Sequence, residues 1–125
     1  MKAYERLLKY AVIKTPSDES SDSTPSSACQ FDLANLLKKE MEALGVSDIQ
    51  LTENCFLYGK LPATKGYENA PAIGFIAHMD TSPALSGKDV KPKLVENYDG
   101  CDICLNKEKD IWLLTSDFPE IKKYK

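Results

Sequence analysis

His78 and Asp80 are the residues whose types and spacing best suit catalysis. His78 is the one histidine of the 125-residue chain, and Asp80 follows two positions later. In an extended backbone, side chains at i and i+2 point to the same side, so both groups could face one site. A neutral imidazole nitrogen is a good zinc ligand, and its other ring N–H usually donates to a carboxylate or carbonyl that fixes the tautomer. The pair predicts a histidine ligand oriented by an aspartate, although zinc needs three or four protein ligands and a lone His-x-Asp also fits an ordinary structural histidine.

Cys101 and Cys104 are the other candidates for chemistry, since Cys-x-x-Cys is the spacing of half a zinc site or of a redox pair. The two remaining cysteines lie far apart in the sequence and form no second pair of this kind. The neighbouring Asp99 and Asp102 should raise the thiol pKa, whereas a redox cysteine needs a lowered one. We interpret both residues as ordinary reduced thiols.

The segment before His78 is expected to position it. Residues 72–77 form a short, continuous apolar run without a polar face, which predicts a strand covered on both sides. His78 then lies just past the carboxyl end of that strand, where ligands gather in α/β sheets.

Two helices are predicted earlier in the chain, and each has an apolar face at helical spacing. The first is expected to end at Pro16, because proline biases the preceding residue away from the helix. Ser27 and Gln30 fit a capping box at the start of the second, and Gly45 fits the left-handed position after its end. The apolar face of the first helix consists of Tyr4, Leu7, Leu8 and Ala11, and that of the second consists of Leu33, Leu36, Leu37, Met41 and Leu44.

The remaining elements are shorter. Alternation predicts strands at residues 49–51 and 55–62 around a turn at Glu53 and Asn54, and residues 111–114 favour one more strand. The serine-rich residues 17–27 indicate a solvated loop, and the chain from His78 to about Asn106 is predicted to be irregular.

Composition excludes several classes of function. Net charge is −3, with the two signs interleaved, which gives no nucleic-acid footprint and no basic membrane-binding face. The polar N-terminus has no secretory h-region, and no apolar run is long enough to span a bilayer. No phosphate-binding glycine motif or G-x-S-x-G elbow occurs. Because no signal peptide is present, the four cysteines are expected to be reduced, and the predicted location is the cytoplasm.

Residues 76–83, Ile-Ala-His-Met-Asp-Thr-Ser-Pro, closely resemble the first metal-binding signature of the peptidase T family, tripeptide aminopeptidases within the M20 zinc exopeptidases. The preceding run at 70–75 and the following segments at 86–90 and 95–100 also resemble that family. The two helices and the serine-rich loop lie in the family's order, so the resemblance covers essentially the whole chain.

The resemblance implies a function and a set of roles. His78 would ligate one of two zinc ions, and Asp80, the candidate catalytic residue, would orient it. Two zinc ions would polarise the scissile carbonyl and activate water, releasing the N-terminal residue from tripeptides. The fold implied is α/β, with helices packed on a mixed sheet, and residues 1–125 would be the N-terminal portion of the catalytic domain.

Members of the family are several times longer. The other metal ligands, the general-base glutamate and the lid domain that forms a homodimer would therefore lie outside these residues, and we expect the chain alone to be inactive and marginally stable. Two alternatives stay open: a non-catalytic α/β interaction module derived from a peptidase, and a small zinc-binding structural domain built on the cysteines.

Overall fold

In the computed structural model, which describes residues 1–124, the chain begins with helix α1 at Ala3–Tyr10. The helix ends before Pro16, because the β-branched Val12, Ile13 and Thr15 lose side-chain freedom in a helix. Its predicted apolar face is not a packed face, since Tyr4 and Leu7 are 43% and 65% exposed. The helix is therefore confirmed, but its proposed core face is wrong.

Polar contacts attach α1 to the second helix through one carboxylate, that of Glu40. Arg6 Nη1 lies 3.1 Å from Glu40 Oε2, and Lys9 Nζ lies 2.7 Å from Oε1. The Tyr10 hydroxyl also donates to Oε2. These donors, Lys9 foremost and then Tyr10, hold the pKa of Glu40 below its ordinary value.

Helix α2 spans Gln30–Ala43 and buries Leu33 and Ala34. The predicted capping box is wrong, because no side chain caps this helix. The Ser27 hydroxyl lies 3.1 Å from Cys29 Sγ, while the Ser27 carbonyl accepts from the Gln30 N–H at 3.2 Å. A helical turn of backbone hydrogen bonds therefore leads into α2.

The end of α2 is the predicted glycine stop. Gly45 has φ +77°, a left-handed conformation that glycine adopts without steric cost. Its N–H donates to the Glu42 carbonyl at 3.1 Å, and the Val46 N–H donates to the Met41 carbonyl at 3.0 Å. These two bonds form a Schellman motif, which satisfies carbonyls at the helix end.

Strands β1 (Ser47–Leu51) and β2 (Leu57–Lys60) follow as an antiparallel hairpin. The Thr52 N–H donates to the Phe56 carbonyl at 2.9 Å, and the Cys55 N–H donates to the Thr52 carbonyl at 3.0 Å. The predicted hairpin is confirmed, with Cys55 in its turn and only 4% exposed.

Gly59 is where the end of α2 and the hairpin approach most closely. A Cβ added there would collide with Met41 Cε, lie 2.5 Å from Val46 Cγ1 and lie 3.6 Å from Ile49 Cγ1. The Met41 methyl can move aside, but the Val46 side chain is stiff at χ1. A side chain at this position must therefore separate α2 from β2.

We expect Gly59→Ala to lower the free energy of unfolding by about 1–3 kcal/mol, because overpacking forces backbone shifts. Gly74→Ala is the matched control, since nothing lies within 4 Å of a Cβ built there, and it should leave stability unchanged or slightly raised. Urea titration followed by circular dichroism measures both. Equal midpoints for the two variants would contradict the close approach at Gly59.

Residues 71–80 do not form the predicted buried strand. Within the described residues this segment pairs with no strand, and Ile73, Phe75 and Ile76 are 80%, 95% and 102% exposed. A strand requires a partner for its N–H and C=O groups and a cover for its side chains, and the apolar run has neither here. The prediction of a covered strand is therefore wrong for the described chain.

A second compact unit begins at Lys93. Strands β3 (Ile103–Asn106) and β4 (Ile111–Leu113) form an antiparallel hairpin, and a 3₁₀ helix follows at Pro119–Tyr124. Asp102 Oδ1 accepts from the Thr115 N–H at 2.7 Å and from its hydroxyl at 2.8 Å. β4 was predicted and β3 was not.

The described residues thus combine α and β structure, as predicted, but their two sheets are antiparallel pairs of strands rather than one mixed sheet. α2 packs on the β1–β2 hairpin. The assignment of the whole chain to one catalytic domain stays a prediction. No helix among residues 1–124 combines the length and the apolar character needed to cross a membrane.

Candidate functional site

His78 and Asp80 contact each other, as the spacing predicted. His78 Nδ1 lies 2.8 Å from the main-chain oxygen of Asp80 and 3.2 Å from its Oδ1. The His78 side chain is 83% exposed and that of Asp80 is 42% exposed. The two side chains therefore lie together and are exposed to solvent.

This contact determines which ring nitrogen is available. A carbonyl oxygen can only accept a hydrogen bond, so Nδ1 must carry the proton and donate to Asp80. In a neutral imidazole the other nitrogen, Nε2, then keeps its lone pair. Nδ1–H is thus held by oxygen atoms of Asp80, and Nε2 is left without a hydrogen-bond partner among the described residues.

Thr81 attaches this segment to an earlier part of the chain. Its N–H donates to the Thr15 carbonyl at 3.0 Å, and its carbonyl accepts from the Ser17 N–H at 3.0 Å. Pro16 and Thr81 thus form an isolated parallel bridge. An open cleft of about 510 Å³ borders the bridge, lined by residues 17–20 and 82–84.

Other potential ligands do not gather around His78. Among residues 1–124, no three His, Cys, Asp or Glu side chains are arranged to hold a metal ion. The roles of His78 as a metal ligand and of Asp80 as its orienting partner stay predictions.

The Cys-x-x-Cys pair shows the expected environment. Cys101 is exposed and Cys104 is half-buried on β3, and both are free thiols. The Asp99 carboxylate, foremost, raises the pKa of the Cys101 thiol, so little thiolate forms at neutral pH. The predicted direction of this shift is confirmed, and nothing in the described residues favours a cysteine-based metal site.

The bridge between Thr81 and residues 15–17 was missed by the sequence reasoning. A signal was present, because the residue before Pro16 is biased toward extended backbone and the neighbouring residues Ile13 and Thr15 are β-branched. An isolated bridge between segments so far apart in sequence leaves no periodicity to detect.

Comparison with known proteins places these residues in context. Over 121 residues the chain is 55% identical to peptidase T of Alkaliphilus oremlandii, an alignment that covers 96% of this chain. It is 52% identical over 123 residues to peptidase T of Caldanaerobacter subterraneus and 45% identical over 121 residues to that of Geobacillus kaustophilus, covering 98% and 97% of this chain. The chain is a homologue of peptidase T.

The homology extends over a limited part of those proteins. The chain spans about 30% of the length of the peptidase T relatives that it matches. No protein-family profile matches it. The resemblance to the peptidase T family is therefore confirmed.

Proposed function

We propose that the chain belongs to a zinc-dependent aminotripeptidase, which hydrolyses tripeptides to release the N-terminal residue. One observation carries the proposal: in a homologue of peptidase T, the single histidine donates Nδ1–H to Asp80 and leaves Nε2 open to a metal. The proposed substrate is a tripeptide.

The residues present fit a zinc ion at His78. Zinc accepts a neutral imidazole nitrogen at about 2.0–2.1 Å, and an 83% exposed side chain offers Nε2 without steric obstruction. Asp80 provides both a main-chain and a carboxylate oxygen for the opposite ring nitrogen. Partners of this kind raise the basicity of the ligand and fix the ring orientation.

The work of these residues in the reaction follows from that geometry. His78 would hold one of two zinc ions, and Asp80 would keep the ring in the Nδ1–H tautomer and stop it from rotating. When bound, zinc supplies a Lewis acid that polarises the scissile carbonyl and activates water at neutral pH. His78 itself would therefore serve as a ligand and move no proton.

One imidazole is too few for a zinc site, which requires three or four protein ligands. We assign the other ligands, the general-base glutamate and the groups that recognise the free α-amine to residues outside this chain, in a homodimeric, cytoplasmic protein. The chain by itself is then without hydrolytic activity. The exposed apolar side chains of residues 73–76 accord with the marginal stability expected of it.

The test compares this chain with a chimera, in which its residues replace the aligned part of Alkaliphilus oremlandii peptidase T. We expect the chimera, supplied with zinc, to release the N-terminal residue from a tripeptide such as trialanine, and the chain alone to show no turnover. Metal content by atomic absorption accompanies the assay. An inactive but folded chimera would favour the non-catalytic interaction module, and stoichiometric tight zinc with turnover by the chain alone would refute the assigned division of ligands.

A further inference from the structure

We propose that residues 15–17, called the strap below, are positioning residues that hold the His78–Asp80 pair in place by pairing with Thr81. The proposed consequence for catalysis rests on the function proposed above, whereas the mechanical role of the strap can be tested without it.

The strap uses both backbone groups of Thr81. The Thr81 N–H donates to the Thr15 carbonyl at 3.0 Å, and the Thr81 carbonyl accepts from the Ser17 N–H at 3.0 Å. The Ser17 hydroxyl reaches the same carbonyl at 3.3 Å. Thr81 directly follows Asp80, so the bridge fixes the chain next to the pair.

This bridge is the one backbone anchor near His78 in the part of the chain that the structure describes. The preceding backbone hydrogen bond outside helices and strands is that of the Ala70 N–H to the Tyr67 carbonyl. At up to 3.6 Å per residue, the three residues from Thr81 limit His78 to within about 11 Å of its anchor. If Ala70 were the nearest anchor, the limit would be about 29 Å.

The strap is itself well held. Thr15 is only 3% exposed, and the ring of Pro16 fixes its φ near the extended range. On the other side of the bridge, a Cβ built on Gly87 would lie 3.5 Å from Thr81 Oγ1 and 3.7 Å from Pro16 Cδ, so the chain returns against it. The buried Thr15 thus connects an otherwise exposed loop to a packed part of the same unit.

Such an anchor matters because a ligand must be held close to its productive geometry. Catalytic groups need placement within about 0.5 Å, and a misplacement of about 1 Å can cost a hundredfold in rate. The mutual hydrogen bonds of His78 and Asp80 orient the ring relative to its own loop, but they do not fix where that loop lies.

Ser17→Pro tests the strap, because proline removes both the N–H and the hydroxyl that reach Thr81. Ser17→Ala removes the hydroxyl alone. Glu19→Pro is the matched proline control: Glu19 is the second residue of the turn closed by the Ser21 N–H and the Asp18 carbonyl at 3.2 Å, a position that proline favours.

The primary readout is nuclear magnetic resonance of the metal-free chain. In the wild type we expect the Thr81 amide to exchange at least about tenfold more slowly than the Ile76 amide, and the His78 amide to have an order parameter above about 0.6. In Ser17→Pro the Thr81 amide should exchange as fast as the Ile76 amide, and the order parameter of the His78 amide should fall below about 0.6. Ser17→Ala and Glu19→Pro should resemble the wild type in both measurements. The one imidazole signal of the chain reports His78 without overlap.

Two outcomes would overturn the proposed positioning role of the strap. One is an unprotected Thr81 amide in the wild type, which decides the matter even if Ser17→Pro fails to fold. The other is an unchanged order parameter of His78 in a folded Ser17→Pro chain.

Assay of the chimera separates the strap from the proposed function. With tripeptide and zinc, Ser17→Pro should lower kcat about 10–100-fold with little change in KM, and both control variants should match the parent chimera. If His78 becomes mobile in the Ser17→Pro chain but the parent chimera is inactive, the role of the strap is retained and the peptidase function is rejected. If His78 becomes mobile in the Ser17→Pro chain but the Ser17→Pro chimera keeps the kcat of its parent, the proposed consequence for catalysis is rejected.

Discussion

His78→Ala should lower the zinc-dependent tripeptidase activity of the chimera by more than about 100-fold. Loss of an outer partner of a metal ligand typically costs 10–100-fold in affinity or activity, and loss of the ligand itself should exceed that. The chain contains no second histidine, and within residues 1–124 no cluster of three potential ligands offers a substitute. Zinc content should fall from two ions per chimera toward one.

The loss should come from chemistry and not from unfolding. The His78 ring is 83% exposed, and its described hydrogen bonds are to Asp80 alone, so the thermal midpoint of His78→Ala should match that of the parent. Tyr67→Ala, at another exposed position of the same unit, is the control for surface truncation. Retention of more than about a tenth of the activity, with zinc content unchanged, would remove His78 from the metal site.

Local sequence signals predicted the parts of the fold that local interactions determine. Gly45 ends α2 because its left-handed backbone closes a Schellman motif. A glycine directly after the apolar positions of a predicted helix is enough to predict this end. The β1–β2 hairpin is equally local, since Thr52 and Cys55 bond within its own turn. Such elements depend on few distant residues.

The predictions failed where distant partners decide the outcome. Residues 72–77 carry the composition of a covered strand, yet a strand exists only when another strand bonds to it, and the described residues supply none. In α1 the sequence predicted a packed apolar face, but polar side chains make the contact with α2 instead. Arg6 and Lys9 of α1 both pair with Glu40 of α2. Pairing of Thr81 with the strap likewise joins segments that no short pattern connects.

The contact between His78 and Asp80 was predictable from the sequence, but its detailed geometry was not. Spacing alone indicated that Asp80 faces His78, and the contact confirms it. Spacing did not indicate that the main-chain oxygen of Asp80, at 2.8 Å from Nδ1, lies nearer than the carboxylate oxygen at 3.2 Å. That difference depends on the backbone path through residues 78–80. It determines how strongly substitutions of Asp80 should affect the orientation of His78.

Asp80→Asn should therefore lower zinc affinity and kcat/KM of the chimera by about 10-fold, at the lower end of the range for outer partners of a ligand. The main-chain oxygen stays in place in this variant, so it continues to accept from Nδ1–H and to fix the tautomer. What the variant loses is the negative charge that strengthens the charge-assisted hydrogen bond and the basicity of the ring. The effect should thus be clearly smaller than that of His78→Ala.

Two further variants separate charge from geometry. Asp89→Asn makes the same change of charge at an exposed residue with φ +56°, a conformation that asparagine tolerates, and it should leave zinc affinity unchanged. Asp80→Ala removes the side-chain oxygens but keeps the main-chain acceptor, so it should cost little more than Asp80→Asn. Isothermal titration with zinc and steady-state tripeptide kinetics measure each. If Asp80→Ala fell as far as His78→Ala, the carboxylate would be acting on zinc or substrate directly, and its assignment as the partner of Nδ1 would be wrong.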